Sequence, residues 1–333
     1  MEGFQELQTL WICSTTTYIS RKAGETAGSG DKMTSTSVAG KDNEAPVSLP
    51  GAFLSARRSS PLEGKFDRMP FIIEHSLHLN PLFRVPALID LSQRLKKNVY
   101  FDTGDVGIDD RWDTLRRDQT AEEALADLEN GKTWLVVKYA HQAPEYARVL
   151  DQCLAEAEKL VGVPFRKDIR NEEMIIFVTS PRRIATYHID RECSFLLQIQ
   201  GEKTIHIFDR DDRELLPEEE VETFWTIDNN APRYRPEYQD RAQSYVLKPG
   251  EAVHIPVNFP HWVENHDNVS VSVNINVQFK DAVRADIYRA NYFLRRMGLS
   301  PTPPARSPIA DRAKAGMYSA ARSAMRICGK RLP

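Results

Sequence analysis

The sequence predicts an α+β fold in which helices come first and a β-barrel fills the second half of the chain. Up to residue 160, apolar residues recur at helical spacing, as in segments 88–95 and 144–160. Strand-like runs follow, and the longest lie within 183–208 and 247–279. A further helical pattern covers 281–297. Helices followed by a run of strands are typical of an α+β layout.

Local signals mark the helix ends. The helix at 144–160 begins with Pro144, a residue favoured in the first turn. Thr120 followed by Glu123 forms a capping box, and Gly131 is placed to stop that helix. Runs of apolar residues at 134–139 and 174–178 then predict buried strands that lead into the first polar motif.

The stretch 183–208 carries a His-X-Asp pair, His188 and Asp190. Residues two apart in a strand point to the same face, so these side chains point together while Ile189 faces the other way. A converging imidazole nitrogen and carboxylate oxygen supply two of the three protein ligands of a non-haem Fe(II) site. Alone, the motif is weak, because surface strands carry it by chance.

The stretch 247–279 offers a third ligand, His261. A Pro-Gly-Glu turn precedes a short strand, a loop then delivers His261, and 269–279 alternates as a strand with one polar face. His254 competes, but it lies in mid-strand and fits a buried sheet histidine equally well. This order of elements is how a double-stranded β-helix, the jelly-roll or cupin barrel, brings its last ligand beside the first two. We therefore prefer His261.

Together, the two stretches resemble the JmjC and cupin-like Fe(II)/2-oxoglutarate-dependent oxygenases, in the style of the asparaginyl-hydroxylase branch. The resemblance covers roughly 61–298 and is strongest over 186–279. It implies His188, Asp190 and His261 as the metal ligands at the catalytic centre, with Fe(II) as the metal and 2-oxoglutarate as cosubstrate. The implied activity is hydroxylation of a protein side chain or a small metabolite.

The same resemblance implies a cosubstrate site. Lys203 falls where the family places the lysine that pairs with the distal carboxylate of 2-oxoglutarate, and a dianion in a sparsely hydrated barrel requires a fixed cation. Thr186 is placed to supply a hydroxyl donor. Asn274 matches a polar position of the family, and Asn276 shares its face. Tyr139 is our candidate for an aromatic hydroxyl from an earlier strand.

Two other functions stay open at this point. The first is a cupin-type binding or regulatory protein whose metal does no redox chemistry. Asp190, in place of a further histidine, and Lys203 in register argue against it. The second keeps the barrel but uses zinc or manganese for isomerase or hydrolase chemistry. Succinate release with Fe(II) but not with Zn(II) distinguishes the oxygenase from both.

Composition limits the class of protein. The 333 residues are 41% hydrophobic, enough for a substantial core, and the formal net charge of −3 does not favour nucleic acid. No apolar run approaches the ~20 residues of a membrane-spanning helix. Four cysteines without paired spacing indicate a reducing compartment and no disulfide framework: Cys13, Cys153, Cys193 and Cys328. We expect a cytoplasmic protein with a protein or small-molecule substrate.

The chain divides into three predicted regions. Residues 1–50 are rich in Ser, Thr and Gly and read as a disordered tail. Residues 51–298 form the oxygenase-like domain, and 299–333 a Pro-rich, basic tail. Segment 229–241 is either a solvated loop or a lid over the barrel. In relatives a helix after the barrel forms the dimer contact, so 281–297 is expected to mediate homodimerisation.

Overall fold

The computed structural model describes residues 53–56, 62, 64–114, 121–280, 283–330 and 332. The predicted tail 1–50 lies outside these residues. The described strands are β1 (Leu54–Ala56), β2 (Phe71–His75), β3 (Val99–Asp102), β4 (Trp134–Val137), β5 (Ile169–Thr179), β6 (Ile184–His188), β7 (Cys193–Gln200), β8 (Lys203–Ile207), β9 (Gln243–Leu247), β10 (Glu251–Ile255), β11 (His261–Asn265) and β12 (Ser270–Phe279). The helices are α1 (Val85–Arg94), α2 (Ala121–Ala126), α3 (Pro144–Val161), α4 (Glu218–Thr226), α5 (Val283–Arg296) and α6 (Pro308–Ile327).

The strands form two antiparallel sheets. The large sheet has the order β1-β2-β10-β7-β12-β5-β4-β3, and the small sheet the order β6-β11-β8-β9. Side chains of both sheets meet in one apolar cluster, among them Leu196 and Val253 from the large sheet and Ile205 and Val263 from the small one. The space between the sheets is therefore the barrel interior, and the predicted double-stranded β-helix with helices on either side in sequence is confirmed.

The side chains of strand β12 alternate between the hydrophobic core outside the large sheet and the barrel interior. Its alternate residues Val271, Val273, Ile275 and Val277 join the main hydrophobic core outside the large sheet, where helix α3 packs. The residues between them face the barrel interior and are all polar and buried: Ser270, Ser272, Asn274 and Asn276. Alternation of this kind follows from the two-residue period of a strand. The result is an interior with one polar wall.

Helices α4, α5 and α6 lie on the side of the small sheet away from the interior. The apolar cluster there includes Tyr187 and Trp262 from the sheet, Phe224 from α4 and Tyr288 from α5. Within the segment predicted as a basic tail, α6 packs on α5 through Phe293 and Tyr318, whose rings stack with centroids 6.4 Å apart. Dimerisation through 281–297 stays a prediction. None of the described helices combines the length and apolar character needed to cross a membrane.

Most predicted elements lie within a few residues of the observed ones. Helix α3 ends one residue beyond the predicted 144–160. Strand β5 begins five residues before the predicted 174–178, because the four polar residues at 170–173 interrupt its apolar pattern. Helix α2 ends at Ala126 rather than near Gly131, since Asp127 and Asn130 are poor helix formers.

Gly201, in the turn between β7 and β8, has a φ of +72°. A Cβ at this position would lie 2.3 Å from the carbonyl oxygen of Val269 and 2.6 Å from Oδ1 of Asn268. We expect Gly201→Ala to lower the free energy of unfolding by about 3 kcal/mol or more, because strain and a backbone clash act together.

The matched control is Gly298→Ala. Gly298 also has a positive φ, +82°, but a Cβ added there would meet nothing within 4 Å. We expect Gly298→Ala to lower the free energy of unfolding by only about 1–2 kcal/mol, the cost of the left-handed backbone conformation alone. Urea denaturation of both variants measures the difference, and equal losses would show that the contact at Gly201 is relaxed in solution.

Candidate metal centre

Three potential metal ligands converge at one end of the small sheet. His188 of β6 and His261 of β11 are directly opposed across the strand pair, with ring centroids 4.3 Å apart. Oδ1 of Asp190 lies 3.8 Å from Nε2 of His188, and Oδ2 lies 3.7 Å from Nε2 of His261. Within the described ranges, this is the group of three His, Cys, Asp or Glu residues whose ligand atoms all lie within 4.8 Å of one another.

A β-bulge in β6 helps to aim the histidines. His261 opposes His188, but Val263 opposes Ala185, so Thr186 and Tyr187 together face the single residue Trp262. An inserted residue shifts the alternation of a strand. Ala185 and His188 can therefore both face the interior although they are three residues apart. Period-two reasoning from sequence does not reveal this bulge.

Asp190 lies in a loop, which corrects the prediction that it shares a strand with His188. Strand β6 ends at His188, and residues 189 and 190 are not in a strand. The position of Asp190 depends instead on a backbone hydrogen bond, in which the N–H of Asn258 donates to the Asp190 carbonyl oxygen at 3.0 Å. This bond ties the loop of the carboxylate to the loop that leads to His261.

Both histidines direct Nε2 towards the carboxylate. Nδ1 of His188 lies 2.6 Å from the carbonyl oxygen of Thr186, and Nδ1 of His261 lies 2.9 Å from that of Phe259. A carbonyl oxygen only accepts, so Nδ1 must carry the proton in each ring, and the lone pair then resides on Nε2. Burial, and next the neighbouring His188, lower the pKa of His261 to about 4, which keeps that ring neutral and able to bind a metal.

The donor set fits a divalent transition metal. Two neutral imidazole nitrogens and one carboxylate are the ligands of non-haem Fe(II) sites with open positions. The same combination also occurs around catalytic zinc. The side chains of His188 and Asp190 are 25% and 23% exposed, whereas His261 is 5% exposed, so the centre is accessible to solvent at His188 and Asp190.

Lys203 occupies the barrel interior without a counter-charge. It shares a strand face with Ile205 and Ile207, which belong to the interior apolar cluster, and the residue is 5% exposed. Among the described residues, no carboxylate lies within ion-pair distance of its ammonium group. Burial lowers the pKa of Lys203 to about 7. A buried cation without a partner is costly, which indicates a site prepared for an anion.

Two of the other predicted cosubstrate residues also have unused hydrogen-bonding capacity. Thr186 is 4% exposed and its Oγ1 has no partner. Asn274 is 8% exposed; its Nδ2 donates to Oδ1 of Asn276 at 2.8 Å, while its own Oδ1 has no partner. Buried polar atoms are nearly always satisfied, so such atoms point to a missing ligand or water.

Tyr139 lies just after β4 in a left-handed backbone conformation, with a φ of 52°. Its ring contacts that of His141, and its backbone N–H faces Oε1 of Glu173 at 3.4 Å. The role of its hydroxyl in holding the cosubstrate stays a prediction.

The competing histidine, His254, faces away from the barrel interior. It is fully buried, its Nδ1 lies 3.0 Å from the carbonyl oxygen of Ser194, and its Nε2 accepts from the N–H of Asp67 at 3.1 Å. Its ring is surrounded by those of Phe66, Phe71 and Phe195. Both nitrogens are occupied by backbone groups, so neither is left for a metal.

Segment 229–241 packs against the outer face of the small sheet. The ring of Tyr234 contacts those of Tyr187 and Trp262, and Nε1 of Trp262 donates to Oε1 of Gln239 at 3.1 Å. Trp262 alternates with the inward-facing His261, so these contacts lie outside the barrel. Neither the solvated loop nor the lid describes this arrangement.

Asn258 is a residue of the site that the sequence did not single out. Its φ is 61°, a conformation that Asn adopts more readily than most residues. The residue is 2% exposed, and neither Oδ1 nor Nδ2 has a partner. An Asn shortly before a candidate ligand was the available signal, since Asn is frequent at left-handed loop positions.

The family follows from comparison with known proteins. The model of the "Cupin-like domain" family matches residues 108–281, just over half of the chain, and this stretch contains His188, Asp190 and His261. The chain belongs to the cupin-like domain family. The cupin-like resemblance inferred from the two sequence stretches is thereby confirmed.

Curated relatives of this cupin-like chain are longer proteins. HSPB1-associated protein 1 of Mus musculus is 26% identical over 164 residues, which cover 46% of this chain and 33% of the relative. The HSPB1-associated protein 1 homolog of Danio rerio is 34% identical over 108 residues, covering 29% of this chain and 24% of the relative. The matched part thus spans a third or less of the length of these relatives.

Solved structures with low similarity to this chain include those of the ribosomal oxygenase YcfD of Escherichia coli. One YcfD structure has a TM-score of 0.41 and 14% identity, covering 77% of this chain and 64% of that chain. The same values apply to YcfD in complex with cobalt and 2-oxoglutarate. A cupin superfamily protein from Desulfitobacterium hafniense has a TM-score of 0.22 and 12% identity, covering 33% of this chain and 69% of that chain. Similarity at this level supports no conclusion about the cupin-like chain.

Proposed function

We propose that this protein is an Fe(II)- and 2-oxoglutarate-dependent oxygenase that hydroxylates a protein side chain or a small metabolite. The observation that carries the proposal is the convergence of His188, Asp190 and His261 in a barrel whose interior also holds the unpaired Lys203. A metal site alone would fit many activities. A metal site together with a buried cation that lacks an anion fits an enzyme with an anionic cosubstrate.

The three ligands would hold the metal through two Nε2 atoms and one carboxylate. When bound, iron and 2-oxoglutarate supply the oxidising chemistry. The chain contributes orientation: the hydrogen bonds from Nδ1 of His188 and His261 to backbone carbonyls fix both rings. The backbone bond from the N–H of Asn258 to the carbonyl oxygen of Asp190 fixes the loop that carries the carboxylate.

Lys203 would bind the distal carboxylate of the cosubstrate. An ammonium group suits a single carboxylate as a point charge, and the paired state removes the cost of burying the cation alone. Thr186 Oγ1 is the unsatisfied hydroxyl that would donate a hydrogen bond to the same molecule. A role of Asn274 in holding the cosubstrate stays a prediction, because its free atom is an acceptor. Leu196, Val253 and other apolar interior residues would exclude water around it.

Turnover of 2-oxoglutarate tests the proposal directly. The protein loaded with Fe(II) is expected to release succinate aerobically, and the protein loaded with Zn(II) is not. Cell extract separated into peptide-sized and metabolite-sized fractions should stimulate the reaction in the fraction that holds the substrate. Tight Zn(II) binding with no succinate release under any condition would favour the non-redox, cupin-type metal-binding protein instead, since the donor set also fits zinc.

A further inference from the structure

The loop that carries Asp190 needs anchors outside the metal centre. Strand β6 ends at His188, so no ladder of strand hydrogen bonds holds Asp190. In the part of the chain that is described, no N–H or O–H group donates a hydrogen bond to its carboxylate. The Nε2 atoms of His188 and His261 lie 3.8 and 3.7 Å away, beyond hydrogen-bond distance. The position of the carboxylate therefore depends on the residues beside Asp190 in the loop.

Arg191, the next residue, anchors this loop to helix α4. Its Nη2 donates to the carbonyl oxygen of Phe224 at 2.9 Å and to Oδ1 of Asn229 at 2.9 Å. The guanidinium carbon lies 5.2 Å from the centroid of the Phe224 ring and 5.3 Å from that of the Trp225 ring, both cation–π distances. One side chain thus joins the metal loop to the end of a helix through two hydrogen bonds and two aromatic rings.

The C-terminus of α4 favours cationic contacts. The last four carbonyl groups of a helix have no partner within the helix, and the helix dipole makes this end negative. The last turn of α4 contains no basic residue of its own. Arg191 supplies a cation at the carbonyl of Phe224, and Arg289 of α5 supplies a second, because its Nε donates to the carbonyl oxygen of Trp225 at 3.1 Å. The Arg191 contact is therefore of the kind that stabilises helix C-termini.

Ion pairs continue from this helix end to α5 and α6. Nη1 of Arg289 donates to Oδ1 of Asp286 at 3.2 Å, and Nη1 of Arg322 in α6 donates to the same oxygen at 3.1 Å. The side chain of Asp286 is 9% exposed, so salt screens these contacts less than it screens a surface pair. The two C-terminal helices therefore hold the end of α4 in place, which makes it a rigid anchor for the loop of Asp190.

We propose that Arg191 is the positioning residue of the metal ligand Asp190, with the C-terminus of α4 as its anchor. This inference rests on the metal centre of the proposed function and adds a residue that acts through one of the ligands. Asp190 is held by two backbone-level contacts: the N–H of Asn258 binds its carbonyl oxygen, and the guanidinium of Arg191 fixes the residue that follows it. Contacts behind a ligand orient it and set the affinity of the site for the metal.

Arg191→Lys tests this assignment on the full chain titrated with Co(II). Lysine keeps the positive charge but loses the planar group that contacts Phe224, Asn229 and Trp225 together. We expect the affinity for Co(II) to fall by about tenfold and the visible absorption band of the bound Co(II) to shift, because the carboxylate of Asp190 is no longer held in one position. Calorimetric titration and absorption spectroscopy measure the two effects. Wild-type affinity with an unchanged band would overturn the proposal.

The matched control is Arg295→Lys. Arg295 also joins α4 to α5, since its guanidinium donates to both carboxylate oxygens of the buried Glu222 at 2.8 and 2.9 Å. Among the described residues, none of its contacts reaches the loop of Asp190. This variant is expected to lower the free energy of unfolding, because lysine cannot keep both contacts, and to leave the Co(II) affinity and absorption band unchanged. Equal losses of Co(II) affinity in both lysine variants would assign the effect to general loosening of α4 and contradict a positioning role.

Chemical rescue of Arg191→Ala provides a second readout. The truncation removes the anchor and leaves space for a small planar cation. Methylguanidinium at millimolar concentration, far below the molar concentrations at which guanidinium salts denature proteins, is expected to restore most of the lost Co(II) affinity. Methylammonium, which has the same charge but no planar group, is not expected to do so. Absence of any recovery with methylguanidinium would overturn the proposal.

The positioning role and the oxygenase function fail separately. Succinate release from Fe(II)-loaded wild-type protein reports the oxygenase function, and the affinity and absorption of Co(II) report the position of Asp190. Turnover by the wild type, with Co(II) binding unaltered in Arg191→Lys, would remove the positioning role and leave the oxygenase. Weakened Co(II) binding in Arg191→Lys, without turnover by the wild type under any condition, would support the positioning role and remove the oxygenase.

Discussion

Asp190→Asn is expected to abolish metal-dependent turnover and to weaken Co(II) or Fe(II) binding by at least ~100-fold. Asp190 supplies the negative charge among three candidate ligands, and its oxygens lie 3.7 and 3.8 Å from the two imidazole Nε2 atoms. The amide keeps the shape but loses the charge. Metal content after dialysis and calorimetric titration measure the loss.

The matched control is Asp267→Asn. Asp267 is a carboxylate whose side chain is 73% exposed and pairs with the equally exposed Arg182. Its substitution should leave metal content and turnover unchanged. If Asp190→Asn retained a full equivalent of metal, the assignment of the three ligands would be wrong.

Lys203→Met is expected to change stability and cosubstrate binding in opposite directions. The variant should raise the free energy of unfolding of the metal-free protein by on the order of 1–4 kcal/mol, because a buried and unpaired ammonium is replaced by an apolar chain of similar length. It should also eliminate measurable binding of 2-oxoglutarate. Urea denaturation and calorimetric titration at pH 7 measure the two effects.

The stability difference depends on pH in a defined direction. Burial lowers the pKa of Lys203 from 10.5 to about 7 in the folded protein. Between pH 7 and pH 10.5, Lys203 binds more protons in the unfolded chain than in the folded protein. The contribution of Lys203 to the free energy of unfolding therefore increases as pH rises. The advantage of Lys203→Met is therefore largest at and below pH 7 and shrinks towards pH 10.5.

Lys248→Met serves as the control for Lys203→Met. Its side chain is 62% exposed and lies 3.9 Å from Glu202. We expect it to leave both the unfolding free energy and 2-oxoglutarate binding nearly unchanged. A Lys203→Met variant that is less stable than the wild type at pH 7 would show that Lys203 already has a compensating partner in the free protein.

The helices and strands could be predicted well from sequence, because the apolar spacing that indicates each element lies within that element's own residues. Helix α3 could be predicted to within a residue from apolar spacing and Pro144. The long polar-faced strand β12 followed from simple alternation. His188 was found within a segment with a strand pattern, and His261 was found from the order of turn, strand and loop that precedes it.

The features that sequence reasoning missed all depend on pairing between distant segments. The bulge opposite Trp262 exists only in the pairing of β6 with β11. Glu173 faces the interior because of the register of β5 with β12. The polar residues beside it give no strand pattern, so the start of β5 could not be recognised from sequence. Asn258 contributes through the hydrogen bond from its backbone N–H to the carbonyl oxygen of Asp190. The spacing of residues in the sequence does not indicate this bond.

The opposition of His188 and His261 across β6 and β11 has a consequence for how the protein is made. During synthesis, the ribosome releases the strand with His188 long before the strand with His261. A nascent chain therefore holds only an open pair of ligands, His188 and Asp190, and no enclosed centre. The three ligands can enclose an ion only after the strand with His261 has emerged and paired with the strand that carries His188.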